Sequence, residues 1–228
     1  MIPKPGAALL FDIDGTLADT DPVHLAAFNQ AFAPFGHHMD KARFVRELQG
    51  RANEDIAASF LPHLPHDEGM AVMAAKEALF RDIAATELHA VGGLFELLDL
   101  ADAWGVPMAA VTNAPRPNAD LILNGLGIAD RFKAIVIGDE LPHSKPHPFP
   151  YLEALRLLGA DPATSLAFED SRTGIASATA AGLTTIGIRT SLLDPDMIAA
   201  GATISATGYD DPSVLALIKQ RMAQTVRV

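Results

Sequence analysis

The stretch AALLFDIDGTLADT, residues 7–20, is an apolar run that stops at two carboxylates, Asp12 and Asp14, one residue apart. A short apolar run ended by Asp-Gly reads as a buried strand running into a turn. Side chains two residues apart on a strand share a face, so Asp12 and Asp14 point into one small space if the strand geometry continues. Two carboxylates there repel each other. The arrangement is tolerable with a divalent cation between them, with one of them protonated, or with the two doing different jobs in different charge states. The same letters also fit a plain strand end, in which Asp12 caps a turn made by Asp14 and Gly15. Gly15 permits the backbone reversal in either case.

Downstream, Asp21-Pro22 predicts a helix start with Asp21 as N-cap and Pro22 at the first position. Val23, Ala26, Ala27, Ala31 and Phe32 carry that helix to near Phe35-Gly36. Further helical patterns cover 40–49, 53–60 and 67–85, broken by Gly50 and by Pro62 and Pro65, and no strand pattern occurs between 21 and 88. The periodicity changes at Val91-Gly92-Gly93. From there helices at 93–104, 117–126, 147–158, 171–181 and 212–223 alternate with strands at 106–112, 134–137, 165–168 and 183–188, with a last short strand near Ile204. Alternation of this kind predicts an α/β fold, a doubly wound parallel sheet. The sheet domain is expected over 1–17 and 90–228, interrupted after its first strand by a helical insert at 18–89.

A chain of 228 residues suffices for one large domain, or one domain plus a smaller insert. The absence of cysteine excludes disulfides, thiolate metal sites and a cysteine nucleophile, and fits a reducing cytosol. Apolar runs fall short of the ~18 residues of a membrane span, and the N-terminus leads straight into a charged turn. The expectation is a soluble, unexported, cytoplasmic protein, a monomer or small homo-oligomer. Net charge is −11, from 17 basic and 28 acidic residues with no basic cluster, which argues against nucleic acid or an anionic membrane as partner. A phosphorylated metabolite is a compatible ligand if local cations or a metal reverse the sign at its site.

A doubly wound sheet gathers its functional groups at the carboxyl ends of its strands. Three predicted ends besides the first carry suitable residues: AAVTNAP closes on Thr112 and Asn113, IVIGDELPHSKPHP places Lys145 after a strand, and LAFEDSRTG closes on Glu169 and Asp170. Singly, each reads as a cap, a turn or a solvated loop charge. Their order at successive strand ends points instead to one site.

With DIDGT at 12–16, a strand ending in Thr112, Lys145-Pro146, and EDS at 169–171 followed by Gly174, the chain resembles the haloacid dehalogenase superfamily of phosphoryl-transfer enzymes over essentially its whole length. The insert is similar to the cap domain of the subgroup with phosphoglycolate phosphatases, sugar-phosphate phosphatases and β-phosphoglucomutases. The resemblance implies a Rossmann-like core in which Asp12 is the nucleophile and Asp14 the general acid/base. It implies that Thr112, Asn113 and Lys145 hold the phosphate, and that Mg²⁺ is held by Asp12, the main-chain carbonyl of Asp14, and Asp170 with Glu169 in support. The function so implied is a magnesium-dependent phosphatase acting on a small phosphorylated metabolite through an aspartyl-phosphate. A sugar phosphomutase and a catalytically silent phosphate-binding protein are the rival readings. An Asp14 that serves both steps needs a pKa within reach of working pH.

In the insert, His24 in DPVHLAAF lies ten residues beyond Asp14, the spacing at which β-phosphoglucomutase-like members carry a histidine near the site, and Lys76 in MAAKEALF has a similar context. Arg51 and Asn53, in LQGRANED, are candidates to touch the far end of a substrate. Asn53 falls where mutases of the subgroup have an arginine that grips a second phosphate. His143 and His147 flank Lys145, and the surrounding Pro142, Pro146 and Pro148 favour a rigid loop over metal ligation.

Overall fold

The computed structural model describes residues 1–224, so 225–228, the end of the expected sheet domain, lie outside the described residues. The chain runs β1 (Leu9–Phe11), α1 (Asp21–Phe32), α2 (Lys41–Glu47), α3 (Asn53–Phe60), α4 (His66–Glu87), α5 (Leu94–Trp104), β2 (Met108–Thr112), α6 (Arg116–Gly125) and β3 (Ala134–Ile137). It continues through α7 (Phe149–Leu158), β4 (Leu166–Glu169), α8 (Arg172–Ala180), β5 (Thr184–Ile188), α9 (Asp194–Ala200), β6 (Ile204–Ala206) and α10 (Pro212–Met222). The strands form one sheet in the order β3-β2-β1-β4-β5-β6, with every neighbouring pair parallel. The chain winds outward from β1 in both directions, so the switch of direction, where such sheets open a crevice, falls at β1.

Alternation along the strands builds two cores. Leu9, Phe11, Met108, Ala110, Leu166 and Phe168 face one side with residues of α5, α6 and α10, and the Phe11 and Phe168 rings stack at 4.7 Å. Ala8, Leu10, Ala109, Val111 and Ala167 face the other, against Tyr151 and Ala154 of α7 and Ala178 of α8. A sheet covered on both faces reads as continuous apolar runs, as β1 and β2 do.

Helices α1–α4 bury a separate cluster of Phe28, Phe32, Met39, Phe44, Leu48, Ile56, Phe60 and Met73. Two chain crossings join them to the sheet, and these run side by side: Ala18 and Ala90 form an antiparallel bridge, Val91 N–H donates to Leu17 O at 3.0 Å, and Asp19 N–H donates to His89 O at 3.1 Å.

Two local expectations change. The N-cap of α1 is Thr20, and Asp21 is its first helical residue. With Pro22 then second in the helix, the Asp21 side chain is released from capping and reaches Gln49 and Ser191 instead. Helix α9 was not predicted, although Asp194-Pro195 repeats the Asp-Pro start of α1; at seven residues it is too short to show a period.

Candidate active site

Strand β1 lies between β2 and β4, with Phe11 opposite Ala110 on one side and Phe168 on the other. The next residue outward, Asp12, therefore emerges between the ends that carry Thr112 and Glu169. Lys145, in the loop after β3, is 2 % exposed, and its Nζ donates to Asp12 Oδ1 at 2.6 Å, Glu169 Oε1 at 2.6 Å and Val111 O at 2.7 Å. Burial alone works to discharge this lysine, but Asp12 and Glu169 hold its pKa above the ordinary value, so it is an ammonium.

Asp12, Glu169 and Asp170 are all buried and bring carboxylate oxygens within 4.8 Å of one another. Burial pushes Asp12 up to about 8 against the pull of Lys145, with Glu169 and Asp14 adding to the rise. Burial, then Asp21, Asp12 and Glu169, push Asp170 well above the usual carboxylate range. An all-carboxylate set with this much crowded charge fits a hard divalent cation, which prefers oxygen ligands and relieves the repulsion. The Asp14 side chain is not in the group. Two glycines make room for it: a Cβ on Gly15, whose φ is +74°, would meet Asp170 Oδ2 at 2.2 Å, and one on Gly174 would meet Glu169 Oε2 at 1.9 Å.

Asp14 turns toward the helices. Its Oδ1 accepts from Thr20 Oγ1 at 2.9 Å and pairs with His24 Nε2 at 2.9 Å. Lys76 Nζ contacts His24 Nδ1 at 2.8 Å. An ammonium can only donate, so Nδ1 accepts and the His24 proton lies on Nε2, directed at Asp14. The ring stacks on Phe80 at 3.9 Å, which fixes its plane. Burial works to raise the Asp14 pKa, but His24, Thr20 and Lys76 outweigh it and hold the carboxyl below its ordinary value. Asp14 thus rests as an anion, its pKa moved away from working pH rather than toward it.

Thr112 Oγ1 accepts from Ala114 N–H at 2.9 Å, which leaves its hydroxyl proton for an anion. Asn113 does a different job from the one expected. Its Oδ1 accepts from Lys145 N–H and its Nδ2 donates to Lys145 O, both at 3.0 Å, so the side chain braces the loop that presents the lysine. The same Nδ2 reaches Gly50 O at 3.0 Å, and Thr173 Oγ1 donates to that carbonyl at 2.9 Å. Beside it Gln49 Nε2 donates to Asp170 Oδ2 at 2.7 Å and Asp21 Oδ2 at 2.9 Å. The turn at 49–50 is therefore docked on the sheet side.

Arg51 lines a cavity between the sheet and the helices that Asp12 and Lys145 also line, but its guanidinium is held by Glu47 O, Asp55 O and Ser59 Oγ at 2.7–3.0 Å. Asn53 Nδ2 donates to Glu77 Oε1 at 2.9 Å. His143 and His147 are exposed, with ring centroids 4.3 Å apart, and neither joins the acidic group. Sequence reasoning missed Gln49, Glu77, Asn118 and Tyr151. Tyr151 OH donates to Glu169 Oε1 at 2.6 Å, and its ring lies 5.1 Å from the Lys145 ammonium. Its only signal was its place six residues after Lys145 on the helix that the KPHPFP segment opens.

A doubly wound sheet whose central strand ends on paired aspartates, braced by a buried lysine and a Glu-Asp pair, defines a class of hydrolase, and the family comparison agrees. The family model for haloacid dehalogenase-like hydrolase matches residues 9–188, and the chain belongs to that family. It is similar to the phosphoglycolate phosphatase of Pseudomonas putida, 31 % identical over 79 % of this chain and 68 % of that one, and it shares its fold with a putative β-phosphoglucomutase from Bacteroides vulgatus, at a TM-score of 0.82 and 23 % identity. It is similar to protein CbbY of Rhodobacter capsulatus, 35 % identical over 95 % of this chain and 97 % of that one. It is also similar to the fructose-1-phosphate phosphatase YqaB of Escherichia coli strain K12, 30 % identical over 80 % of this chain and 96 % of that one. A crystal structure of a CbbY variant from Rhodobacter sphaeroides, in complex with xylulose-(1,5)bisphosphate, superposes with a TM-score of 0.77 at 29 % identity, covering 92 % of this chain and 96 % of that one. Among the described residues no helix is long and apolar enough to cross a membrane.

Proposed function

We propose that the protein is a cytoplasmic magnesium-dependent phosphatase that hydrolyses a small phosphate monoester through an aspartyl-phosphate, acting as a monomer or small homo-oligomer. The observation that carries this reading is the 2.6 Å contact of Lys145 with Asp12, made beside the buried Glu169 and Asp170. Residues 1–17 and 90–228 are the catalytic domain in this reading, and 18–89 is a cap that closes on it.

Asp12 attacks phosphorus, with Oδ1 held by Lys145, and the bond to the alcohol oxygen breaks as Asp14 gives that oxygen a proton. Water then attacks the phosphorus and yields its proton to Asp14, releasing phosphate and restoring Asp12. The resting Asp14 anion suits this second step. In the first, the negative charge of the bound monoester, brought beside Asp14, raises its affinity for the proton the leaving oxygen needs. Lys145 and the Thr112 hydroxyl neutralise and orient the phosphoryl oxygens. Asp12, the main-chain carbonyl of Asp14, and Asp170 with Glu169 in support would hold Mg²⁺, which would supply charge neutralisation for a dianion approaching a carboxylate.

The rival reading is a mutase, which must retain a bisphosphate while it turns. Against it, Asn53 supplies no charge and Arg51 is bound elsewhere in the cap. A screen of phosphorylated metabolites for phosphate release, with Mg²⁺ and with a chelator, tests the hydrolase. In parallel, β-glucose 1-phosphate with a trace of the 1,6-bisphosphate is followed for free phosphate and for glucose 6-phosphate. Rapid isomerisation without phosphate release makes it a mutase, and no turnover of any ester leaves a silent binding protein.

A further inference from the structure

The cavity between sheet and helices, about 70 Å³, is closed on its far side by α3 and α4, and the carboxylate that lines it there is Glu77. Glu77 is 5 % exposed. Its Oε1 takes hydrogen bonds from Asn53 Nδ2 at 2.9 Å and Lys76 Nζ at 3.1 Å, while Oε2 takes one from Asn118 Nδ2 at 2.6 Å. A carboxylate oxygen has two acceptor positions, so these contacts fill Oε1 and leave a lone pair on Oε2.

Among the described residues, the cations nearby make contacts of their own. Lys76 is held by Glu77 and His24, and its ammonium lies 4.1 Å from the centre of the Phe28 ring. Arg81 donates to Asn118 Oδ1 at 2.9 Å, and Arg51 is held within its own helix pair. Arg116 forms a two-pronged pair with Glu140 at the surface. Anions, by contrast, crowd this end. Partial desolvation and then Glu77, Glu54 and Glu140 push the pKa of Asp139, an exposed residue, above its ordinary value. Despite its burial, Glu77 itself is held below the ordinary range by Lys76, His24, Asn53 and Asn118, so it is a fixed negative charge.

An anionic group arriving here would be desolvated beside Glu77 while, among the described residues, the cations that line this wall, Lys76 and Arg51, are already engaged by other partners, which is costly. A hydroxyl or ammonium would find an acceptor. We infer that Glu77 is a specificity-determining residue, selecting monophosphate esters whose far end carries hydroxyl or ammonium groups, such as polyol or amino-sugar phosphates, and rejecting bisphosphates and phosphocarboxylates. This rests on the phosphatase reading and narrows its substrate class. It also separates this chain from the relative that binds a sugar bisphosphate.

The test compares kcat/KM of the Mg²⁺-loaded protein on fructose 1-phosphate and glucosamine 6-phosphate with that on fructose 1,6-bisphosphate and phosphoglycolate, with p-nitrophenyl phosphate as a generic monoester. The first pair is expected to exceed the second by about tenfold or more, and Glu77→Gln to shrink that ratio by about tenfold, chiefly through KM. A wild-type preference for the bisphosphate or phosphoglycolate overturns the inference, as does a ratio unchanged by Glu77→Gln. If no ester, p-nitrophenyl phosphate included, releases phosphate, the phosphatase reading fails. The inference then stands or falls on calorimetric affinities of the four metabolites for the Asp12→Asn variant, where the same order of preference is expected and the reverse order refutes it.

Discussion

On the sheet side of the cavity, Asp12, Glu169 and Asp170 crowd around the single ammonium of Lys145, and the surplus negative charge sits on backbone that the sheet holds fixed. On the helical side, Lys76 and Glu77 neutralise each other between aromatic rings, on helices joined to the sheet by two crossings. In the proposed reading the first wall takes a cation and a phosphate, while the second presents the Lys76–Glu77 pair with acidic neighbours and offers a hydrogen-bond acceptor to a hydroxyl or ammonium. If the proposed roles hold, the contrast teaches that reactivity and choice are assigned to different walls, so variants on each side should fail in different ways.

The sharpest break is Asp12→Asn, expected to lower phosphate release by on the order of 10⁴-fold or more, because an amide is not a competent nucleophile. Release at near wild-type rate would remove the covalent step. Asp14→Ala is expected to cost about 10²–10⁴-fold in kcat while metal affinity, read by Mn²⁺ electron paramagnetic resonance, holds. Equal loss of metal binding would make its carboxylate a ligand. Asp170→Ala is expected to raise the half-saturating Mg²⁺ concentration by about 10–100-fold, and chelator-resistant activity in the parent protein would contradict the metal assignment. On the other wall, Gln49→Ala removes the bond from the 49–50 turn to Asp170 and should cost about tenfold or less in kcat/KM, with kcat on p-nitrophenyl phosphate the less affected. A loss as large as that of Asp14→Ala would erase the contrast between the walls.

The smallest effect is on stability. Asp12 is raised in the folded state from 3.8 to about 8, so the folded protein binds more protons than the unfolded chain between those values. Stability without added metal then declines as pH climbs through that window. Melting temperature measured at pH 5 and pH 8 should fall with pH in chelator and fall less with Mg²⁺. A rise with pH in chelator would refute the account.

How legible each wall was follows from its construction. Thr112, Glu169 and Asp170 could be found because a strand end is a fixed address, where apolar runs mark the strand and the doubly wound order brings its end to the crevice, and Lys145 because it lies in the loop that leaves such an end. Glu77 and Asn118 had no such address. They meet only because α4 lies against α6, a packing that no local period announces. Lys76 was visible as a residue, yet its role depends on His24, fifty-two positions away. Asp21 misled for a related reason: one residue's shift of the helix start, with Thr20 as the cap, moved its carboxylate from the backbone to Gln49.

The paired crossings at 17–19 and 89–91 have a mechanical consequence. The segment that starts at Asp14 and passes through Ala18 to Thr20 is at once one of the two crossings and the tether of Asp14, the proposed acid/base, while His24 rides on the first helix beyond it. Any swing that lifts the helices withdraws the imidazole from Asp14 and pulls the Gln49 amide off Asp170 in the same stroke. In the proposed reading the protein is a circuit wired through its own door, with proton transfer connected only while the door is shut.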